Sequence, residues 1–499
     1  MATNGKQGIK RKNSVLDEQF ESAYVENWRK ASQYKVLGSE FEIIKSRNPL
    51  EVIPQALEFE ITSDDFWSLG LGTKFNIIGQ FQFRTPAHGT DPAGQWTPVP
   101  NTDKGNVVVA PNWFDFLLKE IDIFHNNAKI NVSNEGRFVF PFLNCWKYNY
   151  MNPDQKKKLC PMAEHPGNAV PSKTGNDGWS LTAASEWDNY APNIFCGRSI
   201  NFTYVPMDLP PLFQNTSYFD GEETQKVLPM PILGSLLIRF NFIDHQDYIF
   251  KRKTGNTNEY RFAFSKFELE AEKLRLSKPF FNSLVNRKGL FNYQGLTKVM
   301  KAESITNSST TFISTIQKTP FPEGMFIFAI PKKTLSGLNK YQDNDTNNVF
   351  SPHNISKITF TYGDEVFFLN EPHIGQINNQ IIESKIFSDY IYSPPFGMKM
   401  DPSKITLKQI KNGASNTPYP CAFINLCNFG DKSRIVPILS DGSIMSKDLD
   451  LQIKFEFQEG GSTADVAYII YLYFTDVNLV LDTRTKGKPF FSSPYIKIH

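Results

Sequence analysis

The sequence predicts an all-β chain: two tandem eight-stranded jelly-roll β-sandwiches with long loops, short helices and an N-terminal helical arm. Three observations point there. Phenylalanine is in excess, with 43 copies against 19 Tyr and 7 Trp, and aromatic side chains favour pleated, half-buried surfaces. Short period-two segments recur from about residue 51 to 481. The 30 Gly and 32 Pro supply turn residues between them, as a chain of many strands and loops requires.

The strand segments come in two sets. Leu57-x-Phe59-x-Ile61, Phe75-x-Ile77, Phe81-x-Phe83, Ile121-x-Ile123, Phe138-x-Phe140-x-Phe142 and Leu236-x-Ile238-x-Phe240-x-Phe242 alternate, and Phe262-x-Phe264, Phe267-x-Leu269 and Leu274-x-Leu276 close the set. Alternation bounded by Gly, Pro, Asn and Asp is the strand signal. About eight such segments precede residue 280, the number a jelly roll needs. A second set begins near residue 295. It includes Thr311–Thr315, Met325-x-Ile327-x-Ala329, Ile355-x-x-Ile358-x-Phe360, Val366-x-Phe368, Ala422-x-Ile424-x-Leu426, Leu451-x-Ile453-x-Phe455-x-Phe457 and Ala467–Leu481. The predicted division is an arm over 1–50, rolls over 51–280 and 281–483, and a tail over 484–499.

Other features fit between the strands. Trp113, Phe116, Leu117, Glu120 and Ile121 have helical spacing, which predicts a short helix opened near Asn112 and leading into a strand at Ile121. The polar stretches Thr85–Gly105 and Met151–Asn193 predict elaborated surface loops, and Asn370–Pro420 predicts another insertion with helical pieces. An internal echo suggests duplication. Leu236–Phe242 precedes the longer Phe267–Leu276, and Leu451–Phe457 precedes the longer Tyr471–Val480, so each half should end in an alternating strand, a hairpin and a longer strand. Tyr468–Phe474 is apolar on both strand faces, so a neighbour must cover the face turned away from its own core.

The N-terminus is chemically distinct. Lys6, Lys10, Arg11 and Lys12 carry four positive charges without an acid. Ser14 can cap a helix with Asp17 three residues on. Leu16, Phe20, Tyr24 and Trp28 then form an apolar stripe, with Val25 beside them, on a helix from Asp17 to about Tyr34. Three readings stay open for this helix: it docks on its own domain, it reaches out of the subunit, or it belongs to a cleaved or disordered tail. Ile9–Lys12 could serve as a nuclear import patch or touch nucleic acid, and an ordinary disordered terminus is the plain alternative.

Composition and motifs exclude several function classes. The net charge is +2 from 53 basic and 51 acidic groups, which gives no global reason to expect nucleic acid as a partner. The five cysteines, Cys145, Cys160, Cys196, Cys421 and Cys427, are odd in number and widely spaced, so neither a disulfide framework nor a zinc site is expected. A reducing compartment fits them. Met1–Lys12 lacks the apolar region of a secretory signal, and the longest apolar run, Ala467–Phe474, is far short of a bilayer span. The seven His include no H-E-x-x-H or close pair, and no G-x-S-x-G, P-loop or G-x-G-x-x-G occurs, so no catalytic, metal or cofactor residues are expected. Asp244-His-Gln-Asp247 reads as a solvated turn and Asp64-Asp65 as a turn or helix cap, while Gly70-Leu-Gly72 lacks a third glycine and opens no helix. Lys156–Lys158 reads as a solvated loop.

The order of features resembles the double jelly-roll major capsid proteins of Maverick/Polinton elements, adintoviruses, virophages and large nucleocytoplasmic DNA viruses. In the first roll, Ile61–Leu69 followed by Lys74–Phe83 is similar to that family's opening strands. Val109–Phe114 and then Ile121–Ile130 resemble its helix-then-strand unit, and Arg137–Asn144 its next strand. Phe195–Arg198 and Val227–Pro229 resemble its strand ending in a Leu-Pro step. In the second roll, Phe321–Phe328, Ser351–Ile358 and Tyr362–Val366 match likewise, so the resemblance spans roughly residues 51–483. It implies a non-enzymatic coat protein that forms homotrimers of pseudo-hexameric outline and then an icosahedral shell. It also implies penton and minor capsid proteins as partners, residence in the virion, synthesis in the host cytoplasm and assembly in nucleus or cytoplasm. On that reading Lys10, Arg11, Lys12, Leu16, Phe20, Tyr24 and Trp28 are an inter-subunit or interior contact arm, toward packaged DNA or an inner membrane. The sequence leaves the host receptor unknown. A carbohydrate-binding or glycan-processing β-sandwich is the rival reading, and a penton or minor coat protein a third.

Overall fold

The computed structural model describes residues 36–62, 67–70, 72–100, 107–109, 113–125, 128–129, 136, 138–140, 142–143, 199–206, 209, 227–228, 230, 234–244, 246, 249–252, 255–278, 290–305, 309–319, 324–331, 355–362, 365–370, 422–425, 449–457, 466–482 and 490–492. The first half contains β1 (Val36–Lys45), β2 (Ala56–Ile61), β3 (Trp67–Gly70), β4 (Lys74–Arg84), β5 (Thr97–Pro98), β6 (Val107–Val109), helix α1 (Trp113–Phe116), β7 (Leu118–His125), β8 (Ala128–Lys129), β9 (Ile200–Tyr204), β10 (Val227–Leu228), β11 (Leu236–Phe242), β12 (Phe250–Arg252) and β13 (Glu259–Leu276). The second contains β14 (Leu290–Ser304), β15 (Thr311–Thr319), β16 (Gly324–Pro331), β17 (Ile355–Tyr362), β18 (Glu365–Asn370), β19 (Ala422–Asn425), β20 (Leu449–Phe457), β21 (Val466–Asp482) and β22 (Phe490–Ser492).

The two halves have one topology. In the first, β1-β13-β4-β9 form one sheet and β2-β11-β7-β8 the other, all antiparallel. In the second, β14-β21-β16-β19 face β15-β20-β17-β18. Counting eight principal strands per half, both read 1-8-3-6 and 2-7-4-5. This is the jelly-roll order, in which consecutive strands alternate between sheets except the fourth and fifth, which pair as neighbours. Short strands β3, β5 and β10 extend the first roll's sheet, β6 pairs with β12, and β22 pairs with β21.

The echoed pairs are thus the seventh and eighth strands of each roll. They are not joined as a hairpin, which corrects the expectation. β11 pairs with β2 and β7, whereas β13 pairs with β1, β3 and β4, so the chain crosses from one sheet to the other. Likewise β20 and β21 lie in opposite sheets.

Period-two burial explains why these segments are strands. β2 and β11 alternate between buried and half-buried residues throughout, and so does most of β4. Their inward residues meet as rings. Phe59 and Phe75 lie 5.1 Å apart, Phe75 and Phe240 4.7 Å, and Phe240 and Phe267 5.1 Å. Such edge-on and tilted packing between the two sheets is favourable beyond area burial alone, and it accounts for part of the phenylalanine excess. At one end α1 adds a second cluster. Trp113 packs 4.6 Å from Phe262 and 5.0 Å from Phe81, and Phe114 lies 4.8 Å from Tyr204. The helix-then-strand reading holds here, although the strand opens at Leu118 rather than Ile121.

Three further expectations are corrected. Phe138–Phe142 is not a strand: Phe138–Phe140 and Phe142–Leu143 are helical, with Phe138, Val139 and Phe140 consecutively buried. Consecutive burial is incompatible with one sheet face. The first roll also begins before residue 50, because β1 pairs with β13 from Val36 onward. The tail assigned to 484–499 contributes β22. The predicted helix Asp17–Tyr34 and the loop Met151–Asn193 lie outside the described residues.

Candidate assembly surfaces

In the second roll's larger sheet, β16 and the start of β21 are buried on both faces. Met325, Ile327, Ala329, Ile469 and Tyr471 point into its own sandwich. Phe326, Phe328, Ile330, Ile470 and Leu472, of opposite parity, are equally buried. Their cover comes from the first roll. Phe142 stacks on Phe328 at 4.2 Å with 16° between ring planes, and it meets Phe326 edge-on at 5.3 Å. Phe138 lies 6.0 Å from Tyr468. The covering segment is held against β7: a Cβ on Gly136 would lie 2.9 Å from the Lys119 carbonyl oxygen. The neighbour that Tyr468–Phe474 requires is therefore, for the described part of that strand, a segment of the same chain.

The equivalent sheet of the first roll carries a different outward face. Leu37, Phe41 and Ile43 of β1 are 58 %, 52 % and 48 % exposed. Phe41 and Ile43 stand opposite Glu272 and Glu270, and Glu268 continues that carboxylate row along β13. Glu272 is an anchor: its carboxylate accepts from the Gly72 N–H at 2.6 Å and from the Ser39 hydroxyl at 3.4 Å. Gly70 and Gly72 leave room for it, since a Cβ on either would lie within 2.7 Å of its Oε2. The Thr73 N–H donates to the Gly70 carbonyl at 3.2 Å, and Gly70 and Gly72 together clasp a carboxylate. Lys74 pairs with Glu270 at 3.6 Å and lies 5.8 Å from the centre of the Phe41 ring.

At the far end of the same face, Arg84 and Arg261 stack on Trp96 at 4.6 and 4.2 Å. Arg84 pairs with Glu259 at 2.5 Å, and Arg261 donates to the Gln82 side chain at 2.9 Å. Burial, and then the neighbouring Arg84 charge, lower the pKa of Arg261.

The remaining sequence-level candidates are placed as follows. Lys10, Arg11, Lys12, Leu16, Phe20, Tyr24 and Trp28 lie outside the described residues, as do Asp64, Asp65, His245 and Lys156–Lys158. Gln246 is not solvated. It is buried, its side-chain oxygen accepts from the Phe262 N–H at 2.6 Å, and its amide donates to the Phe262 carbonyl at 3.3 Å. It works as a strut under β13. Among the described residues no group of three or more His, Cys, Asp or Glu could hold a metal ion, and no helix is long and apolar enough to cross a membrane. The sequence reading missed β1 altogether. Its signal is the alternation Phe41-x-Ile43, but these side chains face outward and so do not mark a core.

No protein-family model matches the sequence, and no curated protein does. Solved structures do match. The mavirus major capsid protein is 10 % identical, over 91 % of this chain and 90 % of that one, at a TM-score of 0.45. The Faustovirus major capsid protein is 9 % identical, over 88 % and 89 %, at 0.46. A chain of the Sputnik virophage structure is 12 % identical, over 93 % of this chain and 90 % of that one, at a TM-score of 0.52. At that identity the likeness establishes fold, and with the strand order of both halves it makes this chain a tandem double jelly roll.

Proposed function

We propose that this chain is a major capsid protein of a DNA virus or virus-like element, of the Maverick/Polinton, adintovirus and virophage kind. The observation that carries the proposal is the repeated roll. Two rolls of one topology sit in one chain, with an apolar seam formed between them during folding. Such a pair is a building block for walls rather than a container for a reaction. Three chains closing head to tail present six rolls, a pseudo-hexameric outline suited to tiling an icosahedral shell. Association is driven by apolar burial, at about 25 cal/mol per Å² before the costs of binding.

The protein works without catalysis and resides in the virion, with itself, penton and minor capsid proteins as partners. The arm carrying Lys10, Arg11, Lys12, Leu16, Phe20, Tyr24 and Trp28 makes contacts beyond the trimer, toward neighbouring subunits or the particle interior. The domain assignment on this reading is an N-terminal arm, a first roll ending near residue 280, a second ending near 483, and a tail.

Electron microscopy and sedimentation of the purified full chain test the proposal. Trimers of hexagonal outline, or closed shells, are expected. A stable monomer that binds glycans overturns it.

A further inference from the structure

We infer that Arg84, Arg261 and Trp96 form a binding site for a sulfated saccharide, at the end of the first roll that carries its long connections. The inference rests on the capsid reading above for which end faces outward, and so for the source of the ligand.

The site sits where β4 ends and β13 begins. On the outward side of this ladder Gln80 stands opposite Ala263, Gln82 opposite Arg261 and Arg84 opposite Glu259. These positions hold two guanidinium groups and one carboxylate, so one positive charge is left over. Arg84 is the matched one, through its Nε and Glu259. Arg261 uses its Nε–H on the Gln82 side chain and meets no carboxylate among the described residues. Its terminal N–H donors are left for a ligand.

Trp96 holds both arginines, with its ring 4.6 Å from the Arg84 guanidinium and 4.2 Å from that of Arg261. A closed hairpin delivers the ring. The Gly94 N–H donates to the Thr85 carbonyl at 3.0 Å, His88 and Asp91 exchange two backbone hydrogen bonds at the tip, and Gly89 takes the left-handed conformation there. After Trp96 the chain rejoins β4 as β5, with Thr97 opposite Phe83. Two like charges are thereby fixed side by side at a half-buried ring. The Arg84 charge adds to burial in disfavouring charge on Arg261, and an anion placed across the pair relieves that repulsion. A guanidinium held in place is also pre-organised to meet an oxoanion with two parallel N–H donors.

Position indicates where the anion comes from. β13 runs 18 residues from Glu259 to Leu276, about 55 Å at the usual rise of a strand. Val36 opens β1 opposite Leu276, so the chain before β1, with Lys6, Lys10, Arg11 and Lys12 in its sequence, joins the roll at the other end. The site's own end is where the β4–β7, β8–β9 and β11–β13 connections meet the roll: β11 ends and β7 begins at the Phe242–Leu118 register, and β9 starts at Ile200 opposite Gly79. Residues 87–92 of the hairpin are exposed there. With the arm turned to the particle interior, this end meets the host surface, where anions are carried on polysaccharides. One unmatched charge beside one ring fits a single acidic sugar unit, whereas a nucleic-acid track needs a row of cations.

The test titrates the full chain with a heparin-derived hexasaccharide in a calorimeter, with sedimentation velocity on the same samples. The basic arm attracts any polyanion, so the difference between chains reads the site. Arg261→Gln is expected to weaken binding about tenfold or more. Arg261→Lys should weaken it nearly as much, because the charge stays while the fork is lost. Glu259→Gln releases Arg84 and should tighten binding severalfold, a gain that a folding defect cannot produce. The desulfated hexasaccharide should bind the wild type no better than it binds Arg261→Gln. Equal affinity of the wild type, Arg261→Gln and Glu259→Gln for the sulfated form overturns the inference. A single-stranded oligodeoxynucleotide that binds more tightly, with the same dependence on Arg261 and Glu259, overturns it too and assigns the site to a phosphate chain. Trimers or shells that bind no hexasaccharide overturn the inference and leave the capsid reading intact. A chain that stays monomeric overturns the capsid reading, and the outward placing of the site with it.

Discussion

At Gly79 the backbone of β4 passes so close to β13 that a Cβ would lie 2.3 Å from Phe262 Cζ and 2.6 Å from the Ala263 carbonyl oxygen. The ring could turn aside, but the carbonyl belongs to a paired strand. The ladder shifts register here, between Phe264 and Lys266, and the Ser265 hydroxyl donates to the Ile78 carbonyl at 3.1 Å. Gly79→Ala is therefore expected to lower stability by about 1–3 kcal/mol, as overpacking of a fitted core does. Urea denaturation measures it, and an unchanged midpoint would mean that the strands separate freely at this point. Tyr471 is the second informative residue. Burial first, and then the Glu303 carboxylate, push its phenol well above the ordinary value near 10, with the Ser314 hydrogen bond opposing. Ser314 also donates to Glu303 at 2.6 Å. The sign follows from proton binding. The unfolded phenol ionises near pH 10 while the folded one keeps its proton, so this stability is complete below pH 10 and is lost as pH rises further. Tyr471→Phe should flatten the fall in unfolding free energy as pH rises above about 10, compared with the wild type by denaturant titration at each pH.

At the scale of elements, burial decides what alternation alone leaves open. Phe138-x-Phe140-x-Phe142 has a strand's spacing, yet it is helical, because Val139 is buried as well and the segment serves a neighbouring sheet rather than a ladder. β1 has a strand's pairing, yet its outward side chains are apolar. The pattern in Phe81, Phe75 and Phe59 was legible because one face is core and the other solvent, whereas β16 and β21 are apolar on both faces because they are a middle layer. The seam is the element-scale prediction. Phe142→Ala removes a ring stacked on Phe328 and edge-on to Phe326, and about 3–5 kcal/mol should be lost. Combined with Phe328→Ala, the loss should be less than additive, since both substitutions empty the same contact. Additive losses in a double-mutant cycle would show that the stack contributes nothing of its own.

For the whole molecule, the seam decides whether two rolls behave as one body. Each roll has its own facing sheets and aromatic or aliphatic core, and tandem units of that kind often melt independently. Here the second roll's outward face is completed by Phe138 and Phe142 from the first, so one calorimetric transition is expected for the wild type. Phe138→Ala/Phe142→Ala should split it into two. A wild type that already melts in two steps would mean that the seam is too weak to couple the rolls.

The sequence by itself determined the class, the number of rolls and the core-facing residues of most strands, because period-two burial against a single core is a local property of the chain. It also determined that each half ends in a matched strand pair. Only the tertiary structure decided that those strand pairs cross between sheets, that the first roll opens at Val36, and that Phe138–Phe140 and Phe142–Leu143 are helical and seal the second roll. Those features depend on which surface lies opposite, and two segments nearly two hundred residues apart, such as Phe142 and Phe328, carry no mark of each other in the chain.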